Sequence, residues 1–151
     1  MVATIWQHLL LLHYKKYATI SGMKNSFEEA VTELTKRHPE YAAGAYEFMR
    51  AGLDYAAQQY PKEGDNKHLT AEELYLGACK YALEEYGPLA NQVFRFWGIQ
   101  TSSDFGQIVY NLISVGVFGK QPSDSQSQFD NLPAPQDLLN APYQPNTSDT
   151  Q

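Results

Sequence analysis

The triplet formed by Asp104, Phe105 and Gly106 is the stretch of this sequence that most resembles a catalytic motif. In protein kinases such a triplet holds magnesium, together with a glycine-rich loop, a strand lysine and a His-Arg-Asp loop. The 151 residues contain none of those companions, and a magnesium site needs more than one carboxylate. Asp104 directly precedes a run of helical periodicity, where an acidic side chain can accept the free N–H groups of the first turn. We therefore predict that Asp104 is a structural helix cap.

The other residues capable of chemistry do not form a recognisable site. The four histidines have no cysteine or second histidine at metal-ligand spacing, and they are His8, His13, His38 and His68. Zinc-protease, serine-hydrolase, phosphate-loop and dinucleotide motifs are absent from the sequence. Cys79 is the only cysteine, so no intrachain disulfide can form, which favours a reducing, cytoplasmic location. We predict no catalytic residue, no cofactor and no metal, and we keep an enzyme with an unrecognised site as an alternative.

The distribution of charge along the chain limits the possible partners. The formal net charge is −6. Residues 1–22 carry two bases and no acid, residues 23–120 carry nine bases and thirteen acids, and residues 121–151 carry four acids and no base. Because no segment is basic enough to hold a polyanion through charge alone, we predict no tight DNA binding. No apolar run approaches the ~18–20 residues of a membrane span, so we also predict no such span.

The first 22 residues are predicted to be an extension outside the fold. They contain four consecutive leucines, but they lack the basic start and the small-residue cleavage site of a secretory signal. Met23 then opens a segment that reads like a cytoplasmic start. The alternative is an interfacial amphipathic helix, whose apolar residues would be Ile5, Trp6, Leu9 and Leu10.

Helical signals dominate from residue 26 to about residue 115, and they predict about five helices. Ser26 and Glu29 have the spacing of a capping box, in which a hydroxyl is followed three residues later by a glutamate. Thr70 and Glu73 have the same spacing. We therefore predict that Ser26 and Thr70 cap helices, as Asp104 does.

After the fifth helix the pattern changes from helical to alternating. Residues 115–129 read as a small β-hairpin, with turn residues between two short apolar runs. The order of three helices and a hairpin gives the C-terminal half a winged-helix-like character. The predicted architecture is a single, mainly α-helical domain over residues 23–132. Residues 133–151 are rich in Pro, Asn, Gln and Ser, and the composition predicts a disordered tail.

The outward side of the fifth helix, together with the hairpin, is the predicted functional surface. It is polar with one aromatic residue, which suits protein docking, and the candidate docking residues are Gln107, Tyr110, Asn111, Ser114, Lys120 and Asp124. Lys120 is its only base, whereas DNA-binding proteins contact several phosphates through Lys and Arg. The preferred function is a cytoplasmic, non-enzymatic protein-interaction module. The alternative is a winged-helix nucleic-acid-binding protein or transcriptional regulator.

Several motifs carry a resemblance to a known bacterial family. The stretches "RHPEYAAGAYEF", "HLTAEELYLGACKYALEEYGPLANQVFRFWGI" and "TSSDFGQIVYNLISVGVFGKQPSDSQSQF" resemble a family of small proteins described as restricted to planctomycete and verrucomicrobial bacteria. The match covers roughly residues 27–132, and its most specific features include Trp97-Gly98 and Asp104-Phe105-Gly106. Members of the family typically begin near Met23. The resemblance implies no particular activity, because none is established for the family.

Overall fold

The computed structural model of this chain describes residues 21–64 and 68–145. Those residues form six α-helices and three single turns of 3-10 helix, so the predicted mainly helical fold is confirmed. The α-helices are α1 (Ser21–Arg37), α2 (Ala43–Gln59), α3 (Ala71–Tyr86), α4 (Ala90–Phe96), α5 (Ser102–Ser114) and α6 (Pro135–Asn140). The 3-10 turns are Gly87–Leu89, Gln126–Phe129 and Ala141–Tyr143.

The helix pair α2 and α3 forms the centre of the fold, and glycine allows the two helices to approach closely. A Cβ atom on Gly77 would lie 2.5 Å from the Cβ of Ala56 on the facing helix. Gly52 faces Ala78 in the same way, with 3.3 Å between the corresponding Cβ positions. Because real Cβ atoms rarely come this near to one another, the two glycines set the distance between the helices.

An aromatic cluster attaches α4 to this central pair. The ring of Phe48 on α2 lies 5.4 Å from that of Tyr81 on α3, 5.3 Å from that of Phe94 on α4 and 5.4 Å from that of Trp97. These centroid separations are within the range at which aromatic pairs attract each other beyond simple burial. The short helix α4 therefore depends on aromatic packing for its position.

The end of α5 explains why the predicted β-hairpin is wrong. Gly116 has a φ of +78°, its N–H donates to Ile113 O, and the N–H of Val117 donates to Leu112 O at 3.0 Å. This pair of hydrogen bonds is a Schellman motif, in which glycine terminates a helix. The chain then turns at residues 121–124 and forms a 3-10 turn. No strand occurs in residues 21–64 and 68–145, so the fold has no winged-helix wing in that part.

The predicted disorder of the tail is wrong for residues 133–145. They form α6 and a 3-10 turn, and α6 packs on α3 and α4. Leu139 is 1% exposed, and Pro135 is also buried. The hydroxyl of Tyr75 donates to the backbone oxygen of Pro133 at 2.6 Å. The composition of the segment is polar, but two well-placed apolar side chains are enough to hold it on the core.

The predicted extension over residues 1–22 lies outside the described residues, except for residues 21 and 22, which belong to α1. Because α1 begins at Ser21, the predicted cap residue Ser26 lies inside the helix and is not its N-cap. Among the described helices, none has both the length and the apolar character needed to cross a membrane.

Candidate functional site

Asp104 has a structural role at the start of α5, as predicted, but it is not the N-cap residue itself. Thr101 is the N-cap of α5, and its hydroxyl accepts a hydrogen bond from the Asp104 N–H at 3.1 Å. Oδ2 of Asp104 accepts the N–H groups of Gln100 and Thr101, each at 3.0 Å. Oδ1 accepts the hydroxyl of Tyr41 at 2.9 Å. Asp104 is therefore the third helical residue of a capping box and also a tie to the segment before α2. Within the described chain, no group of three or more His, Cys, Asp or Glu side chains is placed so that it could hold a metal ion.

Substitutions at Asp104 test this structural role. Asp104→Ala removes three accepted hydrogen bonds, and we expect a loss of about 2–3 kcal/mol in the free energy of unfolding. Asp104→Asn keeps one oxygen for the two backbone N–H groups, so we expect a smaller loss of about 1 kcal/mol. Urea denaturation of both variants measures the difference. Equal stability of the two variants would show that the backbone N–H contacts contribute nothing.

Of the other two predicted caps, Thr70 is confirmed, whereas Ser26 lies inside α1. Thr70 is the N-cap of α3, where its hydroxyl accepts the N–H of Glu73 at 3.1 Å. The carboxylate of Glu73 accepts the N–H of Thr70 at 2.9 Å and the ammonium of Lys62 at 2.6 Å. The contact with Lys62 and the backbone hydrogen bond lower the pKa of Glu73. The two residues of this capping box lie three positions apart in the chain, so the pattern can be recognised from the local sequence.

Three of the six predicted docking residues, Gln107, Asn111 and Ser114, belong to one polar row of hydrogen bonds within the protein. Asn111 is only 3% exposed, and its amide donates to the hydroxyl of Tyr46 at 3.1 Å. The amide of Gln107 donates to Asn111 Oδ1 at 2.8 Å, and Gln126 donates to Gln107 Oε1 at 2.9 Å. The hydroxyl of Ser114 donates to the backbone oxygen of Asn111. The prediction that Asn111 faces outward is therefore wrong, because this polar row connects α5 to α2 and to the 3-10 turn at 126–129.

The other three predicted docking residues lie together beside a cavity of about 340 Å³ between α2, α3, α5 and the segment 118–129. Tyr110 and Asp124 line this cavity. The ammonium of Lys120 lies over the ring of Tyr110, 5.9 Å from its centroid. The side chain of Asp124 is fixed by the backbone N–H of Gln121 at 2.7 Å and by His68 Nε2 at 2.7 Å. Most of the remaining wall is apolar, including Leu53, Leu69, Leu74, Val109, Ile113 and Phe118.

The Thr70 hydroxyl in this cavity and the Cys79 thiol, which lies on α3 outside the cavity wall, are not activated as nucleophiles. The hydroxyl of Thr70, which lines the cavity, is engaged in the capping box of α3. Burial raises the pKa of the Cys79 thiol to about 12, so the thiol stays protonated at neutral pH and is a poor nucleophile. The paired His68 and Asp124 therefore have no activated nucleophile in the Thr70 hydroxyl or in the Cys79 thiol.

A second feature is an exposed apolar strip on α4 and the turn before it, formed by Leu89, Val93 and Phe96. The side chain of Phe96 is 83% exposed and that of Leu89 is 62% exposed, while Val93 is half-buried. Residues 89 and 96 are seven apart, so they lie on the same helix face. Tyr143 is 49% exposed, and its hydroxyl would be 3.6 Å from a Cβ on Gly87, at the Leu89 end of the strip.

The sequence contains one signal for this exposed strip, although the helical periodicity of α4 alone does not predict it. Five large apolar residues occur within nine positions around α4, and they are Leu89, Val93, Phe94, Phe96 and Trp97. Such a set surrounds more of a helix than one buried face can cover. Phe94 and Trp97 enter the aromatic cluster, and Phe96 is left on the opposite side.

Comparison of the chain with protein-family models, with curated proteins and with solved structures gave no match.

Proposed function

We propose that this protein is a non-enzymatic protein-interaction module that docks another protein chain on the strip formed by Leu89, Val93 and Phe96. The observation that carries the proposal is the exposure of Phe96, 83%, next to Leu89, 62%. Fully covering a Leu or Phe side chain contributes about 1.5–3 kcal/mol. Two such side chains on one face therefore provide a substantial part of the free energy of a specific complex.

The surroundings of the strip support this function. Gln92 and Arg95 are exposed on the same helix, and α4 contains no acidic residue. An apolar centre with an aromatic residue, bordered by arginine and a neutral polar side chain, has the composition of an interface core and its rim. Because α4 is held by the aromatic cluster around Phe48, the strip stands on a rigid base that a partner can bind without reordering it.

The proposal places the docking surface on α4 instead of on the outer side of α5. A cytoplasmic location is part of the proposal, supported by the single cysteine in the chain. The absence of tight DNA binding stays a prediction, supported by the acidic excess over residues 23–120.

The test compares two variants that add the same charge to the same helix. Phe96→Glu places a carboxylate within the strip, and Gln92→Glu places one on its polar border. Both sites are exposed, so we expect both variants to keep the unfolding free energy within about 0.5 kcal/mol of the original. A hot-spot residue contributes at least about 2 kcal/mol, so we expect Phe96→Glu to weaken partner binding by about 30-fold or more.

Affinity capture from the native host, followed by titration of the captured partner, measures the effect. Wild-type protein and Gln92→Glu should retain the same partner, and Phe96→Glu should lose it. If the partner is a second copy of this chain, sedimentation will show an oligomer that Phe96→Glu dissociates. Equal affinity of the partner for the wild type and for Phe96→Glu would exclude the strip as the docking surface.

A further inference from the structure

The cavity beside α5 is too large to be a packing defect, and it is separate from the strip on α4. Its volume is about 340 Å³, and its wall does not include Leu89, Val93 or Phe96. Voids larger than a water molecule are few in a folded domain, because protein interiors are close-packed. A volume of this size is instead at the lower end of the range of small-molecule sites. The cavity is therefore a candidate ligand site in its own right.

Apolar side chains from several parts of the fold form the body of the cavity wall. Leu53 comes from α2, Leu74 from α3, Val109 and Ile113 from α5, and Phe118 from the segment after α5. A water molecule is well held in a protein only where it makes roughly two to four hydrogen bonds. These side chains offer none, so an apolar molecule that displaces water from them gains free energy.

The charged side chains of the wall are paired within the protein. Oδ2 of Asp124 lies 2.7 Å from Nε2 of His68, and it also accepts the N–H of Gln121 at 2.7 Å. Asp54 has a partner of its own. A charged ligand would leave water for a wall whose charges are already matched, and burying a charge without a partner is costly. The wall therefore favours an uncharged molecule.

The neutral polar side chains of the wall are also engaged or covered. The hydroxyl of Thr70 belongs to the capping box of α3, and the side-chain oxygen of Gln128 accepts the N–H of Ser125 at 3.1 Å. The hydroxyl of Tyr110 is covered from solvent, so a molecule in the cavity does not reach it. A ligand meets few free polar groups here, and its own surface must therefore be mainly apolar.

We propose that the cavity binds a small, uncharged and mainly apolar molecule, of the size of one aromatic ring with a short side chain. Its body packs against Leu53, Ile113 and Phe118 and displaces water from them. This site does not rest on the docking strip on α4, so either can exist without the other.

Three probes of similar shape and different charge test the ligand class. A ¹H–¹⁵N NMR titration of the full chain at neutral pH compares 2-phenylethanol with 2-phenylethylamine and with 3-phenylpropanoate. We expect one molecule of the alcohol to bind per chain, at least about fivefold more tightly than either charged probe. The amide signals of Val109 and Ile113 should shift with the alcohol. Equal or tighter binding of a charged probe, or no binding of the alcohol, would overturn the proposal.

Two matched variants test the location. Ala57 is exposed and lines the cavity, whereas Gln58 is exposed and does not line it. Ala57→Trp covers the cavity and should weaken binding of the alcohol by at least about fivefold, while Gln58→Trp should leave it unchanged. Unchanged binding of the alcohol by Ala57→Trp would show that it binds elsewhere and would refute the site.

The apolar character of the wall is tested at Leu53. Leu53→Asn places a polar amide on the wall, and Leu53→Met keeps the wall apolar. We expect Leu53→Asn to weaken binding of the alcohol by at least about threefold and Leu53→Met to change it by less than about twofold. Circular dichroism checks that both variants fold, and Ala57→Trp decides the result if Leu53→Asn is unfolded. Equal affinity of the two folded variants for the alcohol would contradict the proposal.

Discussion

Gly98→Ala is expected to lower the free energy of unfolding by about 3 kcal/mol or more, which is a large part of the stability of a small domain. Gly98 has a φ of +93°, a conformation that an L side chain rarely adopts. A Cβ at this position would lie 2.1 Å from the backbone oxygen of Glu40. Backbone cannot yield as a flexible side chain can, so the substitution forces α4 away from the segment that precedes α2.

The same glycine organises the junction between these elements. Its N–H donates to Arg95 O at 3.1 Å, and the N–H of Ile99 donates to Phe94 O at 2.8 Å, which together form a Schellman motif. The backbone oxygen of Trp97 accepts the N–H of Ala42 at 3.1 Å. Loss of this geometry would therefore release both the end of α4 and its attachment to α2.

Two further glycines provide controls that separate the causes. Gly116 has a φ of +78° but no atom within 4 Å of a built Cβ, so Gly116→Ala should show the conformational cost alone, about 1–2 kcal/mol. Gly119 has open space and no such φ, so Gly119→Ala should be neutral or slightly stabilising. Thermal or urea denaturation measures the stability of the three variants and shows their order. Similar stability of Gly98→Ala and Gly116→Ala would contradict the close contact with Glu40.

Leu139→Ala is expected to cost about 2–5 kcal/mol, because it removes a side chain that is 1% exposed from the contact of α6 with the core. Gln136→Ala is the matched control, since Gln136 is exposed on the same helix. Its effect should stay within about 0.5 kcal/mol. Urea denaturation of the two variants measures the difference. Equal stability would mean that the segment after Pro133 does not pack, as its composition alone predicts.

The helices could be predicted because their signals are local. The capping box of Thr70 and Glu73 spans four residues, and the apolar periodicity of α3 follows it directly. The wrong hairpin prediction also rests on a local signal, because the apolar alternation after residue 115 favours strands, whereas Gly116 terminates a helix. In the structure the backbone hydrogen bonds of the Schellman motif determine the path there.

The candidate sites could be predicted only in part, because their contacts join distant residues. Asn111 meets Tyr46, which is 65 residues away, so its place on the helical wheel does not reveal its burial. The sequence predicts Tyr110, Lys120 and Asp124 only as part of a six-residue docking surface, and the cavity beside them also requires α2 and α3. The exposure of Phe96 depends on how Phe94 and Trp97 pack, and local periodicity cannot determine that.

Photocrosslinking in the native host shows whether a partner binds the strip of Leu89, Val93 and Phe96. A photocrosslinking amino acid is placed at position 96, and in a control protein at position 136, which is exposed on α6. We expect a discrete covalent adduct with one protein from position 96 and no such adduct from position 136. Absence of an adduct at position 96, or the same adduct from both positions, would contradict docking on this strip.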